Sequence, residues 1–273
     1  MSSISEVHRN TFRTGSRTYY NSSLFFPDGV KKDVHVLYGF VRVADNFVDQ
    51  IPQDRPGFLD FRERYRKAIA GEPAGDEIID SFVELAKRKS FDRAWIDAFL
   101  HSMELDLTKH VYLTLDETLE YIYGSAEVIG LFMARILDLD RASYAAAEYQ
   151  GRAMQYINFI RDIDEDRALG RTYLPLEDSG FSSLSREAAE AAPDRFCAFI
   201  RKQIKRYTEW QRIAEEGYRY IPKRYRIPIK TASDMYNWTA MRIEKDPFVV
   251  FDRQVKPATS RVLLTALLNA VAA

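Results

Sequence analysis

The chain has 273 residues, 46% of them hydrophobic and 13% aromatic, enough apolar surface for one substantial core. Its 39 basic and 40 acidic residues nearly cancel, which excludes the basic excess of a nucleic-acid binder. The single cysteine, Cys197, excludes an intramolecular disulfide and fits a reducing compartment. The N-terminal "MSSISEVHRNTFRTGSRTYY" lacks the apolar core of a signal peptide. No apolar run reaches the ~18–20 residues of a membrane span. The expected location is cytoplasmic, with peripheral contact at the inner face of the membrane as the alternative.

Helical spacing dominates from end to end. Apolar residues recur every three or four positions over 31–49, 57–70, 75–89 and 92–109. The "TLDE" at Thr114 to Glu117 reads as a capping box that opens a helix to about Leu137. A further long helix spans about 141–168 and stops near Gly170, which suits the left-handed residue past a helix end. Residues 171–184 hold Pro175 and Gly180 and read as a loop. Helices follow over 185–191, 194–219, 229–245 and 257–271, punctuated by Pro193, Pro222, Pro228, Pro247 and Pro257. The apolar end, "VLLTALLNAVAA", reads as a last packed helix, with membrane-surface contact as the lesser alternative. There is no strand alternation, internal repeat or low-complexity linker. The expectation is a single all-α domain over residues 1–273, an isoprenoid-synthase-type helical bundle around a central cavity once the resemblance below is added.

Two helices carry the same unusual stripe. In "YGFVRVADNFVD" the positions i, i+4, i+7 and i+11 are Tyr38, Arg42, Asp45 and Asp49. Nearly every other residue there is apolar, so the helix is buried and its polar stripe must face a filled cavity, water or a partner. In "QYINFIRDIDEDRALGRTYLP" the same arithmetic gives Gln155, Asn158, Asp162 and Asp166. A single such stripe would read as a solvated face or a salt-bridge seam. Two matched stripes leave more carboxylates than the nearby arginines can neutralise, and an unpaired buried carboxylate is costly. A divalent cation would balance them. Aspartates one turn apart suit Mg²⁺, with Mn²⁺ as the alternative, and its remaining ligands are typically water and phosphate oxygens. That places a diphosphate between two acidic helices, with Arg17, Arg42, Arg161, Arg171 and Arg253 as candidate clamps.

These stretches resemble the squalene/phytoene synthase family. "SRTYY" is similar to its flap segment, "YGFVRVADNFVD" to its first Asp-rich motif and "YIYGSAEVIG" to a Tyr-x-Tyr-x-x-Ala-x-x-x-Gly helix. "QYINFIRDIDEDRALGRTYLP" is the closest match, to its second motif. The resemblance implies that Asp45, Asp49, Asp162 and Asp166 hold Mg²⁺ on the substrate diphosphates. It implies phosphate contacts for Ser16, Arg17, Arg42, Arg161 and Arg253. Gln155 and Asn158 would order the site beside the reacting carbons, and Tyr38, Tyr121 and Tyr236 would line the cavity. The implied reaction joins two prenyl diphosphates head to head through a cyclopropyl diphosphate. No NADPH-dependent step is expected: family members that reduce their intermediate are typically longer and carry a C-terminal anchor, and no glycine-rich dinucleotide fingerprint is present.

Three departures stand out. Glu127 takes the place of a usually small residue, and Ser125 of a more apolar one. Asp164 is an extra acid that helical spacing turns away from the Asp162/Asp166 pair. Asn46 stands where a further aspartate is common. Competing readings are a non-catalytic assembly factor of the same fold, which would lose the acids, and a terpene cyclase or head-to-tail prenyltransferase, which would lack the Gln155/Asn158 stripe. His8, His35, His101 and His110 have no metal-ligand spacing, and Trp95, Trp210 and Trp238 read as packing residues. The wall for the apolar tail includes Ser16, Tyr19 and, one turn on, Ser23 with Ser22 beside it. Small residues there leave room for a C20 tail, so geranylgeranyl diphosphate is expected over C15 farnesyl diphosphate.

Overall fold

The structure, a computed structural model, describes residues 6–15, 20, 21 and 23–272. Its helices are α1 (Glu6–Gly15), α2 (Asp28–Asp49), α3 (Arg55–Ala70), α4 (Glu77–Arg88), α5 (Arg93–Leu105) and α6 (Leu115–Ile122). After a π-helical turn at Tyr123–Glu127 come α7 (Val128–Ile136), α8 (Tyr144–Arg161), α9 (Ile163–Ala168) and α10 (Arg186–Ala191). They are followed by α11 (Pro193–Glu216), α12 (Lys223–Lys245), α13 (Val249–Asp252) and α14 (Thr259–Ala272). Among the described residues the β contribution is one isolated bridge, Val111 to Thr172. The all-α expectation therefore holds.

Local chemistry sets many of the starts. Asp54, Asp76 and Asp92 each accept from backbone N–H groups in the first turn of α3, α4 and α5. Thr114 and Glu117 form the expected reciprocal capping box at α6. Gly71, with φ of 113°, closes α3 in a left-handed conformation that favours glycine.

Three predicted helices differ. The one expected over 114–137 is interrupted by the π turn, whose extra residue re-aims Ser125. The one expected over 141–168 breaks at Asp162, which has φ of −102° and ψ of 19°. The phase survives the break, because Asp162 N donates to Asn158 O at 2.8 Å and Asp166 N to Asp162 O at 2.8 Å. Finally, α12 starts after Pro222 and carries Pro228 inside it. Pro228 is buried, so packing compensates for the backbone bond that a proline cannot make.

Two apolar clusters make the core. One gathers Phe40, Phe58, Phe82, Phe99 and Phe132 from α2, α3, α4, α5 and α7. The other gathers Tyr156, Ile157, Ile160, Phe196 and Ile243 from α8, α11 and α12. Helix α2 therefore belongs to one cluster and α8 to the other. Close backbone approach fixes α8 against the π turn. A Cβ on Gly151 would lie 2.1 Å from Ala126 O, and one on Gly124 would lie 2.2 Å from Ala98 O. Neither position has room for a side chain, so both glycines hold the register of the elements around the cavity.

Candidate active site

A cavity of about 800 Å³ lies where the two clusters meet. Helix α2 contributes Tyr38, Arg42, Asp45 and Asp49 to its wall. Helices α8 and α9 and the break between them contribute Gln155, Asn158, Arg161, Asp162 and Asp166. Tyr121, Arg171 and Tyr236 also line it. The two stripes thus face one space. Ser16 and Arg17 lie outside the described residues. Arg253 is exposed and is not among the lining residues; the cation brought in by that segment is Lys256.

Arginine pairing is more extensive than the sequence suggested. Arg42 donates to Asp45 Oδ2 at 2.6 Å. Arg161 grips Asp162 with two nitrogens, Nε to Oδ1 at 2.6 Å and a second bond to Oδ2. Arg171 donates to Asp49 Oδ1 at 2.7 Å and to the Val48 carbonyl. The Asp166 carboxylate makes no hydrogen bond or ion pair among the described residues. Arg171, expected from sequence as a diphosphate clamp, lines the cavity but is only 3% exposed, and both of its terminal nitrogens bond protein groups.

One carboxylate escaped the sequence reading. Asp106, at the end of α5, is 1% exposed. It accepts from Tyr121 Oη and from Tyr173 Oη, each at 2.6 Å. Phe99, Met103 and Asp106 form an i, i+4, i+7 stripe on the cavity. A lone acid ending an apolar stripe was the available signal, but Asp106 has no acidic partner one turn away.

The charges strain one another. Loss of hydration, and then the neighbouring Asp49, push Asp45 up to about 7 against the pull of Arg42. Burial followed by Asp162 raises Asp166 well above the ordinary range, and Asp49 and Asp106 add to the rise. Burial lifts Asp106 to about 6 while Arg171 opposes it. These donors are hard carboxylate oxygens, suited to Mg²⁺ or Mn²⁺. Among the described residues no group of three histidine, cysteine or acidic side chains is placed to hold a metal ion by itself. The arrangement fits an ion that keeps water or substrate oxygens as ligands.

A second, largely apolar cavity of about 330 Å³ adjoins the first. Tyr38, Val41, Ser125, Gln155 and Asn158 line both. Asn158 Oδ1 and Ser125 Oγ are buried there without hydrogen-bond partners. Beyond this polar neck the walls are side chains such as Phe26, Leu37, Ile129, Met133 and Leu137. Ser23 lies in this apolar wall, 2% exposed, its hydroxyl donating to Tyr20 O.

The remaining departures resolve locally. Glu127 is buried and paired with Arg152 at 2.7 Å, while Arg152 lies over the Tyr149 and Trp210 rings. Asp164 is exposed and pairs with Arg167, and Asn46 is exposed.

A bundle with two facing acidic stripes and an apolar annex defines a class of enzyme that handles a polyanion attached to a hydrocarbon. A model of the family described as squalene/phytoene synthase matches residues 12–261, and the chain belongs to that family. It is 27% identical to a 15-cis-phytoene synthase of Pantoea ananas, over 95% of this chain and 88% of that protein. It is 29% identical to a 15-cis-phytoene synthase of Enterobacter agglomerans, over 84% of this chain and 82% of the relative. Among solved structures, a dehydrosqualene synthase bound to a ligand superposes with a TM-score of 0.85 at 19% identity, covering 97% and 94% of the two chains. A squalene synthase from Alicyclobacillus acidocaldarius gives 0.80 at 24% identity, with coverage of 89% and 94%. These structures share the fold.

The raised acids make a stability prediction. A carboxyl lifted from 3.8 to about 7 keeps a proton in the fold that the unfolded chain releases. Its contribution therefore makes the metal-free fold less stable as pH rises from about 4 to about 7. In chelator, Asp45→Asn should melt at a higher temperature than wild type at pH 8, and the difference should shrink at pH 5. Parallel melting temperatures across that range would contradict the assignment.

Proposed function

We propose that this prenyltransferase joins two prenyl diphosphates head to head, by a 1′-1 linkage, through a cyclopropyl diphosphate intermediate. The observation that carries the reading is the pair of adjoining cavities, one lined by carboxylates and cations, the other apolar, with Tyr38, Ser125, Gln155 and Asn158 between them. Family membership and the phytoene synthase relatives support the same reading. The non-catalytic alternative is disfavoured because both acid pairs survive and face one cavity.

Asp45, Asp49, Asp162 and Asp166 would hold Mg²⁺, which supplies Lewis acidity to the leaving diphosphate and offsets the carboxylate charge. Arg42 and Arg161 exchange their aspartate partners for phosphate oxygens as substrate arrives, and Lys256 adds a third cation at the wall. Loss of diphosphate leaves an allylic cation at the neck. There the unpaired oxygens of Asn158 and Ser125 favour positive charge, and the Tyr38 and Tyr236 rings offer their faces. The apolar annex holds a hydrocarbon tail away from water, which protects the cation and fixes the approach of the second double bond.

The C20 assignment rests on Ser23. A small side chain in the annex wall leaves depth for the longer tail, and each CH₂ buried adds about 0.8 kcal/mol. Geranylgeranyl diphosphate is therefore the proposed substrate and phytoene the product, formed without NADPH. Product release into lipid is supported by α14. It packs inward through Val262, Ala266 and Asn269, while Leu263, Leu264, Leu267, Leu268 and Val271 are 44–90% exposed. Among the described residues no helix is long and apolar enough to cross a membrane, so the proposed contact is peripheral.

Incubation with Mg²⁺ and C20 diphosphate should yield phytoene by mass spectrometry, with the product unchanged by NADPH. Asp45→Ala and Asp162→Ala should each lower turnover by roughly 100-fold or more while circular dichroism stays helical. Full activity in either variant or in excess chelator would sink the metal reading. Ser23→Phe should shift preference toward C15. A wild type that favours C15, with no change in the variant, would overturn the chain-length assignment. Wild type should float with phospholipid vesicles and Leu264→Glu/Leu267→Glu should not; equal flotation would remove α14 as the contact.

A further inference from the structure

The geometry points to Asp106 as a positioning residue that keeps Asp49 available to a divalent cation by drawing off part of the Arg171 charge. This rests on the metal reading above. Arg171 is the buried cation between the two acids. One of its terminal nitrogens donates both to Asp49 Oδ1 at 2.7 Å and to Tyr173 Oη at 3.2 Å. Tyr173 Oη in turn donates a hydrogen bond to Asp106 Oδ1 at 2.6 Å. Arg171 Nε points toward the same oxygen at 3.9 Å, has no hydrogen-bond partner and is buried. The guanidinium is thus divided between two carboxylates, one by direct contact and one through a tyrosine hydroxyl.

The division has a chemical consequence. Asp49 presents only Oδ1 to Arg171, so its other oxygen keeps its lone pairs free for a cation. Were Asp106 neutral, the undivided guanidinium charge would fall on Asp49 and compete with any metal there. Backbone contacts hold the frame in which this occurs. Gln53 Nε2 donates to Val48 O at 2.7 Å and to Asp106 O at 2.8 Å, so the ends of α2 and α5 are tied together. Tyr121 Oη fixes the second oxygen of Asp106. Asp106 touches neither the acid pairs nor, on this reading, the substrate; it acts through Arg171.

The test is Mn²⁺ binding to the full chain in inorganic pyrophosphate, followed by electron paramagnetic resonance, with no turnover required. Asp106→Asn keeps the volume and an oxygen acceptor but loses the charge, and should weaken Mn²⁺ binding roughly 10-fold. Arg171→Gln keeps a polar side chain but loses the competing charge, and should bind Mn²⁺ more tightly than wild type. The double variant should return to within about threefold of wild type. A merely structural Asp106 would leave the double variant binding as weakly as Asp106→Asn, with no rescue, and that result overturns the proposal. If Asp106→Asn does not fold, Tyr173→Phe decides, because it removes the hydroxyl that links Arg171 to Asp106: weaker Mn²⁺ binding supports the division of charge and unchanged binding overturns it. A wild type that binds no Mn²⁺ in pyrophosphate overturns the metal reading itself, an outcome distinct from loss of the sign difference between variants.

Discussion

Five carboxylates converge on a cavity between two apolar clusters, and much of the architecture exists to tolerate that crowding. Asp45, Asp49, Asp106, Asp162 and Asp166 all line it. In bulk water their mutual repulsion would be slight; between apolar walls it is larger. Three arginines hold three of the acids, two tyrosines hold a fourth, and Asp166 is left to raise its proton affinity. An acidic site in this condition is a receptor for positive charge. Its cations, in turn, become available to an anion as soon as something else neutralises their present partners. On the proposed function, affinity for a metal and affinity for a diphosphate would therefore be coupled, each releasing the groups that receive the other.

The apolar clusters do more than bury surface. Helix α2 is anchored in one and α8 in the other, so the distance between the acid pairs is set by how two separate cores meet. The glycines at 124 and 151 bring backbones closer than any side chain allows. The π turn at Tyr123–Glu127 inserts a residue where a regular helix would pass, and it points Ser125 at the neck between the cavities. The buried Glu127–Arg152 pair sits at the end of that turn. A buried ion pair is weak evidence for stability. Here it spans the π turn and α8, the two elements that supply Ser125, Gln155 and Asn158, so its natural effect is on register.

Both acidic stripes and their common cavity were legible in the sequence because the signal is periodic. Residues at helical spacing share a face whatever the fold does elsewhere, and this held even where α8 breaks, since the bonds from Asp162 N and Asp166 N preserve the phase. What periodicity could not give is pairing. Arg171 lies in a segment read as a loop, and nothing in "GRTYLP" says that it turns inward to Asp49. Asp106 went unseen for the same reason: its meaning comes from Tyr121 and Tyr173, 15 and 67 residues away. Pro228 misled in the opposite direction, because local rules make proline a boundary and packing overrode them. Helical patterning reports faces, whereas the state of each charge depends on contacts remote in sequence.

The neck between the cavities is where those two kinds of information combine. Ser125 and Asn158 each leave a buried oxygen without a donor, a cost of roughly 1–3 kcal/mol per group that a structure selected for stability alone would remove. Gln155 and Tyr38 stand beside them, and Tyr38 is itself stacked on Phe12 with ring centroids 3.9 Å apart. The polar atoms are thus held rigidly by apolar packing behind them. Unsatisfied acceptors fixed at the border of a charged and an oily chamber present partial negative charge to whatever crosses that border. On the proposed function, such a border would repel a diphosphate and admit a hydrocarbon. The neck would then sort the two halves of an amphipathic substrate, headgroup to the acids and cations, tail to the annex, with the bond between them where positive charge is best received.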